Sequence, residues 1–69
     1  MINPEIDDFG NKTWSDSDGF YHREGSPAYE GINGKKIWAI HGEYHREDGP
    51  AIEWPNGGRH WFINGKRIQ

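Results

Sequence analysis

Residues 44–66 read YHREDGPAIEWPNGGRHWFINGK, and the stretch before them, 21–43, reads YHREGSPAYEGINGKKIWAIHGE. Aligned without a gap, the two stretches are identical at twelve positions. So many identities in one register are far beyond chance and indicate a tandem repeat. We therefore look for the fold in one unit of 23 residues that the chain uses twice.

Each unit is divided by pairs of residues that favour tight turns. Asn-Gly stands at 33–34, 56–57 and 64–65, and it is the preferred pair for a two-residue type I′ hairpin because both central residues need positive φ. No stretch keeps a helical period. We therefore predict an all-β fold, an antiparallel meander of tandem 23-residue β-hairpin repeats in a single sheet. The expected strands cover residues 11–15, 20–24, 28–32, 35–40, 43–47, 51–54, 59–63 and 66–68.

Two-residue turns also predict which residues face one another. In both units the central Asn-Gly turn would place a large apolar residue opposite the repeated tryptophan. The predicted pairs are Tyr29–Trp38 and Ile52–Trp61, followed at the next turns by Trp38–His45 and Trp61–Ile68. Since side chains alternate along a strand, one face would carry an apolar stripe and the other would be mixed. The expected stripe is Tyr29, Trp38, Ile40, His45, Ile52, Trp54, Trp61, Ile63 and Ile68.

The length of the chain limits its core. A chain of 69 residues buries only about 60% of the surface that its unfolded form exposes, and without cysteine no disulfide compensates. We expect an irregular lead-in over residues 1–10 and a single β-repeat domain over residues 11–69. That domain would consist of a partial unit 10–20, a unit 21–43 and a unit 44–69.

The net charge of −3 is unevenly distributed. Residues 1–19 hold five acidic residues against one lysine, whereas the last eleven residues hold three basic residues and no acidic one. An acidic chain lacks the dense basic face that nonspecific nucleic-acid binding needs, so we do not expect a nucleic-acid partner. The sequence shows no signal peptide and no apolar run of about 20 residues, so we expect no membrane partner and a cytoplasmic location.

The motifs that recur are HREDGPA at 45–51, Asn-Gly at 56–57 and WFINGK at 61–66. In this order and spacing they resemble the variant MORN-like repeats of small bacterial and phage proteins. The first unit departs from the pattern, with Gly31 where the second has Trp54, and residues 10–14 resemble the tail of a third unit. The Tyr-x-Gly step that opens the eukaryotic MORN consensus is missing. The resemblance implies an antiparallel β-meander that works as a contact module. It does not imply enzymatic activity, and we expect no cofactor.

A single-layer sheet leaves its apolar face partly in water, unless the sheet curls on itself. A contiguous exposed apolar patch usually marks a contact surface, so we expect a second copy of the chain, as a homodimer, or another protein to cover it. Tryptophan and arginine dominate the binding energy of interfaces. The expected partner-binding residues are Trp38, Trp54, Arg59, Trp61, Phe62 and Arg67.

The repeated histidines and arginines have structural interpretations beside the functional ones. We expect His45 to stack on Trp38 and His22 on Trp14, each also bonding a turn through a ring nitrogen. Arg23 and Arg46 are expected to pair with Glu30 and Glu53 or to stack on a ring, rather than to bind phosphate. Neither the histidines nor the Asp16-Ser17-Asp18 segment forms a complete metal motif, so we predict no metal site and no catalytic residue.

The sequence therefore favours a non-enzymatic protein-binding module. The resemblance implies a small phage-encoded inhibitor or modulator of a host protein, such as a defence nuclease, a CRISPR component or a polymerase component. The alternative is an oligomer that sequesters small ligands, with nucleotides stacked on Trp38, Trp54 or Trp61 beside Arg59. A third hypothesis is a metal hydrolase that uses the histidines.

Overall fold

The structure, a computed structural model, describes residues 4–68 of the chain. Its strands are short and all their pairings are antiparallel. They are β1 (Glu5–Ile6), β2 (Lys12–Thr13), β3 (Tyr29–Glu30), β4 (Lys36–Ile37), β5 (Ala39–Ile40), β6 (Glu43–Tyr44), β7 (Ile52–Glu53), β8 (Arg59–His60), β9 (Phe62–Ile63) and β10 (Lys66–Arg67). The predicted all-β antiparallel fold is confirmed.

The strands form three sheets, so the prediction of a single sheet is wrong. Six strands pair in the order β1-β2-β3-β4-β7-β8, while β5-β6 and β9-β10 form separate two-stranded ribbons. The division falls at the repeated tryptophan, because Trp38 changes partner. Its N–H donates to the carbonyl of Ala51 in the next unit at 2.7 Å, and its carbonyl accepts from His45 in the following ribbon at 3.1 Å.

The hairpin in the middle of each unit has a three-residue loop, which corrects the predicted register. Gly34 N–H donates to the Gly31 carbonyl, and only Gly34 of the Asn-Gly pair has positive φ, at 98°. This is a type I turn followed by a left-handed glycine. Tyr29 therefore faces Ile37, and in the second unit Ile52 faces His60. The predicted pairs Tyr29–Trp38 and Ile52–Trp61 are wrong by one residue, which moves side chains to the opposite face.

The ribbons do have two-residue turns. His41 and Gly42 have φ values of 47° and 85°, and Asn64 and Gly65 have 50° and 81°, as type I′ turns require. The pairing of Ala39 with Tyr44 and of Phe62 with Arg67 follows from these turns. The predicted pairs Trp38–His45 and Trp61–Ile68 are confirmed by backbone hydrogen bonds of 3.1 and 2.9 Å.

The first part of the chain is more regular than predicted. The expected lead-in over residues 1–10 contains β1, which pairs with β2, while residues 1–3 of it lie outside the described residues. The loop from Asp7 to Asn11 has the same backbone bonds as the later three-residue loops. A hairpin with Ser15 opposite Tyr21 follows, so the pattern of one unit extends back to β1.

The core lies on the face that was predicted to be mixed. Ala28, Ile37, Ala39 and Ile52 form its buried centre, and Tyr21, Tyr29 and Phe62 pack against them. Because of the register change, Ile52 and Tyr29 point to this side, whereas Trp38 lies on the other face of the sheet. The molecule measures 32 × 27 × 15 Å along its principal axes, and among residues 4–68 no large side chain is fully enclosed.

Asp16 organises the loop between Ser15 and Tyr21. One oxygen of its carboxylate accepts the backbone N–H of Asp18 and of Phe20, and the other lies 2.8 Å from Nδ1 of His41. The hydrogen bond from His41 is the main cause that lowers the pKa of Asp16 below its ordinary value of 3.8, and the two backbone bonds add to it. The loop is therefore held by the ionised carboxylate.

This lowered pKa predicts the pH dependence of an Asp16→Asn variant. A carboxylate with a depressed pKa in the folded state stabilises that state above its ordinary pKa, and the stabilisation is lost as pH falls through the depressed value. We expect Asp16→Asn to be less stable than the wild type at pH 7, with a gap that narrows below pH 3.8. Urea unfolding at several pH values measures this gap. Asp18→Asn is the control, and a gap for Asp16→Asn that does not change with pH would contradict the prediction.

Candidate functional site

The repeated tryptophans lie in a row on the face opposite the core. Trp14 and Trp38 donate their backbone N–H to Ala28 and Ala51, each at 2.7 Å, so the two indoles have equivalent places in successive units. Trp14 is buried, with 8% of its surface exposed, whereas Trp38 and Trp61 are half-buried. Trp14 is thus the most enclosed indole of the row.

A guanidinium covers each of the first two indoles. Cζ of Arg46 lies 3.8 Å from the centre of the Trp38 ring, and Cζ of Arg23 lies 3.8 Å from the ring of Trp14. Arg46 also donates to the Pro50 carbonyl at 3.1 Å and to Glu53 at 3.1 Å. The expected stacking and pairing of the arginines is confirmed.

The equivalent bonds of Arg23 are slightly longer. Its Nη1 lies 3.2 Å from the Pro27 carbonyl and 3.6 Å from the carboxylate of Glu30. Both arginines are therefore engaged within the chain, and one face of each covered indole is closed to a ligand.

The histidines hold turns and do not stack on tryptophan as predicted, because the arginines have taken those positions. Nδ1 of His22 accepts the backbone N–H of His41 at 3.0 Å, and Nδ1 of His45 accepts that of Asn64 at 3.0 Å. The predicted bond from a ring nitrogen to a turn is confirmed. Among residues 4–68, no three histidine, aspartate or glutamate side chains lie close enough together to hold a metal ion.

The third tryptophan of the row has a different neighbourhood. The position that follows Arg23 and Arg46 at the same spacing is residue 69, which is glutamine and supplies no guanidinium. Trp61 therefore lacks the cation that its sequence equivalents receive from this position. Its half-buried indole is more accessible to another molecule than that of Trp14, and no guanidinium from residue 69 covers it.

Charges of alternating sign cross the six-stranded sheet in one row. Successive strand pairings align Lys12 with Glu30, Glu30 with Lys36, Lys36 with Glu53, and Glu53 with Arg59. Opposite charges on neighbouring strands stabilise a sheet by about 0.2–1 kcal/mol a pair. Arg59 is exposed and ends the row at β8, the edge strand of the part of the sheet that the structure describes, with Glu53 as its neighbour on the inner side.

The other predicted partner-binding residues lie before and after β8 in the sequence. Trp54 is 40% exposed, and Nζ of Lys35 lies 4.0 Å from the centre of its ring. Phe62 is half-buried, packs on the core and meets Tyr44 edge-on with ring centres 5.1 Å apart. Arg67 is exposed in β10, opposite Phe62. Five of the six predicted residues belong to the last unit of the sequence, and Trp38 belongs to the unit before it.

Trp38 lines an open cleft of ≈ 640 Å³ that sequence reasoning missed. The cleft lies between the segments 23–27 and 45–48, with Trp38 and Ile40 in its wall. Its walls carry charges of both signs. The two segments contain the repeated His-Arg-Glu motifs, which are visible in the sequence. In the predicted single sheet these motifs lie on separate strands, so the sequence did not predict that they form one cleft.

Comparison of the chain with protein-family models, curated proteins and solved structures finds no match. Within residues 4–68, the chain forms no helix long and apolar enough to span a bilayer. The functional interpretation therefore depends on the geometry of the C-terminal edge and of the tryptophan row.

Proposed function

We propose that the protein is a non-enzymatic protein-binding module whose contact surface is the C-terminal end of the sheet. The observation that carries this proposal is the incomplete burial of its large aromatic side chains. Within residues 4–68 no large side chain is fully enclosed, and Trp38, Trp54 and Trp61 all keep accessible surface. When a partner covers apolar surface, the removal of that surface from water favours binding by about 25 cal/mol per Å².

The residue types at this end suit a protein partner. Trp61 and Trp54 supply rigid aromatic surface, and the exposed Arg59 supplies a fork of hydrogen-bond donors. Tryptophan and arginine are the side chains most enriched among the residues that dominate binding energy. At the opposite edge the exposed residues of β1 are Glu5 and Ile6, neither of which is a tryptophan or an arginine.

The narrower proposal is a small phage-encoded inhibitor or modulator that acts on a host protein in the host cytoplasm, such as a defence nuclease, a CRISPR component or a polymerase component. The resemblance of the repeated motifs to variant MORN-like repeats supports it. Binding through an exposed surface, without a catalytic group, is a mechanism by which so small a protein can block a larger one.

Capture from host lysate tests the proposal with variants that differ at one indole. We expect the wild type to retain a defined protein and Trp61→Ala to retain it at least about tenfold less, because loss of a central tryptophan typically weakens binding by 2 kcal/mol or more. Quantitative mass spectrometry of the captured proteins measures this ratio.

Ile32→Ala is the matched control for the capture experiment. Ile32 is also apolar and is 68% exposed, but it lies in the loop after β3, away from the C-terminal edge. It should leave capture unchanged. Capture of nothing but the bait, or equal capture by Trp61→Ala and the wild type, would contradict the proposal.

The alternative is an oligomer that sequesters nucleotides, and the proximity in sequence of the half-buried Trp61 indole and the exposed Arg59 guanidinium favours it. Trp61 could stack on a base and Arg59 could bind a phosphate. Trp38 and Trp54 are less suited, since Arg46 and Lys35 already lie over their rings. Tryptophan fluorescence that does not change across a panel of nucleotides would exclude this alternative.

A further inference from the structure

Trp61, the residue that follows the edge strand β8, has a backbone N–H whose equivalents at Trp14 and Trp38 are both hydrogen-bonded. The N–H of Trp14 and the N–H of Trp38 donate across to Ala28 and Ala51 of the next unit. The N–H of Trp61 occupies the third equivalent place and has no hydrogen-bond acceptor within residues 4–68. An unpaired edge of this kind is a template for another strand.

The row of alternating charges specifies the residue that such a strand would place opposite Arg59. Each basic member inside the sheet, Lys12 and Lys36, has a glutamate as its neighbour toward the C-terminal edge. Among residues 4–68 no strand lies beside Arg59 on that side. A carboxylate there would continue the row, and the absence of acidic residues from the last eleven positions favours an acidic partner.

The core-facing side of the β8 edge specifies two more residues of the added strand, those next to His60 and Trp61. His60 ends a row of core-facing positions that runs through Tyr29, Ile37 and Ile52, so an apolar residue fits opposite it. Ala28 and Ala51, whose carbonyls accept the tryptophan N–H groups, have no exposed surface at all. The residue whose carbonyl accepts the Trp61 N–H must therefore be small, because it would lie beside Phe62 at the start of the β9-β10 ribbon.

We propose that β8 binds an extended, acidic segment of another protein as an added antiparallel strand, with the pattern alanine, apolar residue, glutamate. The alanine carbonyl accepts the Trp61 N–H, the apolar side chain lies against His60, and the carboxylate pairs with Arg59. Backbone bonds supply affinity and alternate side chains supply specificity. This inference rests on the proposed function and names the chemistry of its partner.

A second copy of the chain fits this edge less well. In the same register its β1 would place Ile6, not a carboxylate, opposite Arg59. Two β8 edges brought together would oppose two basic strands, which is unfavourable. The charge pattern thus favours a different, acidic strand.

A peptide with the sequence Asp-Gly-Pro-Ala-Ile-Glu-Trp, that of residues 48–54, is the probe. Titrated into the ¹⁵N-labelled protein, it should shift the amide signals of residues 59–62 and move the Trp61 amide proton downfield. A matched peptide with lysine in place of glutamate should bind the wild type about fivefold more weakly, which corresponds to the upper range of one cross-strand charge pair. With Arg59→Glu the preference between the two peptides should reverse.

Three results would overturn the inference. They are no shift at residues 59–62 at millimolar peptide, equal binding of the two peptides, and concentration-dependent shifts of β8 without peptide, which would assign the edge to a second copy. The comparison of two peptides on the wild type does not depend on the folding of a variant. If the peptide fails while capture still depends on Trp61, only this inference falls, and the proposed function stands.

Discussion

Replacing Ile37 by alanine is expected to destabilise the protein by about 2–4 kcal/mol, the usual range for truncating a buried aliphatic side chain. Ile37 is 6% exposed and lies between Tyr29 and Ile52 on neighbouring strands. A domain of 69 residues has roughly 3–10 kcal/mol of stability in total, so much of it would be lost. Thermal unfolding should show a midpoint lower by at least about 10 °C.

Two variants provide the controls for Ile37. Ile37→Val removes one methylene and should lose only about 0.5–1.5 kcal/mol. Ile32→Ala removes the same atoms as Ile37→Ala from a side chain that is 68% exposed, and it should change stability by less than about 0.5 kcal/mol. If Ile37→Ala and Ile32→Ala unfolded at the same temperature, the placement of the core on this face would be wrong.

Replacing Arg46 by alanine is expected to destabilise the protein by about 2 kcal/mol. The change removes a cation–π contact worth about 0.5–1 kcal/mol and leaves the Pro50 carbonyl without its donor, which costs about 1–3 kcal/mol where water cannot replace it. The side chain is only 22% exposed and also pairs with Glu53 at 3.1 Å. Urea unfolding at pH 7 measures the loss.

Arg46→Lys and Arg59→Ala separate the causes of the Arg46 effect. Lysine keeps the charge but not the planar fork, so it should restore less than half of the lost stability. Arg59→Ala removes an exposed cation and one cross-strand pair with Glu53, so it should change stability by at most about 1 kcal/mol. Full restoration by lysine would mean that charge alone, and not the stacked fork, stabilises this region.

Arg46 also allows a direct measurement of its contact with the indole. A double-mutant cycle of Arg46→Ala with Trp38→Leu isolates the interaction between the two side chains. The distance of 3.8 Å from Cζ to the ring centre predicts a favourable coupling. Because the contact is half-exposed, the coupling should be at the lower end, about 0.5–1 kcal/mol.

The turns show how far the sequence determines this fold. Asn64-Gly65 forms the predicted type I′ turn, but Asn33-Gly34 and Asn56-Gly57 end three-residue loops, and the same dipeptide serves both geometries. Pro55 is the residue from which the longer loop of the second unit could have been predicted. Proline favours the second position of a type I turn, and Pro55 has this position in the turn from Trp54 to Gly57. A two-residue turn at Asn56-Gly57 would instead place Pro55 in a strand, where proline is disfavoured.

The candidate site was predictable in composition but not in arrangement. Residue type and the larger side chains of the second unit point to Arg59, Trp61 and Phe62, and these reasons do not depend on the register of the strands. The charge row that ends on Arg59 and the unpaired N–H of Trp61 depend on the register and on the order of the strands. A register error of one residue conceals both, because it moves each side chain to the other face.

The loop that Asp16 closes between Ser15 and Tyr21 has a practical consequence. Ser17 is exposed there, and the neighbouring Gly19 has open space around it, with no atom within 4 Å of an added Cβ. Because the sequence contains no cysteine, Ser17→Cys would introduce a single thiol for a fluorophore or a solid support. The loop belongs to the first hairpins and β8 ends the sheet on the other side, so an immobilised chain would keep its C-terminal edge accessible.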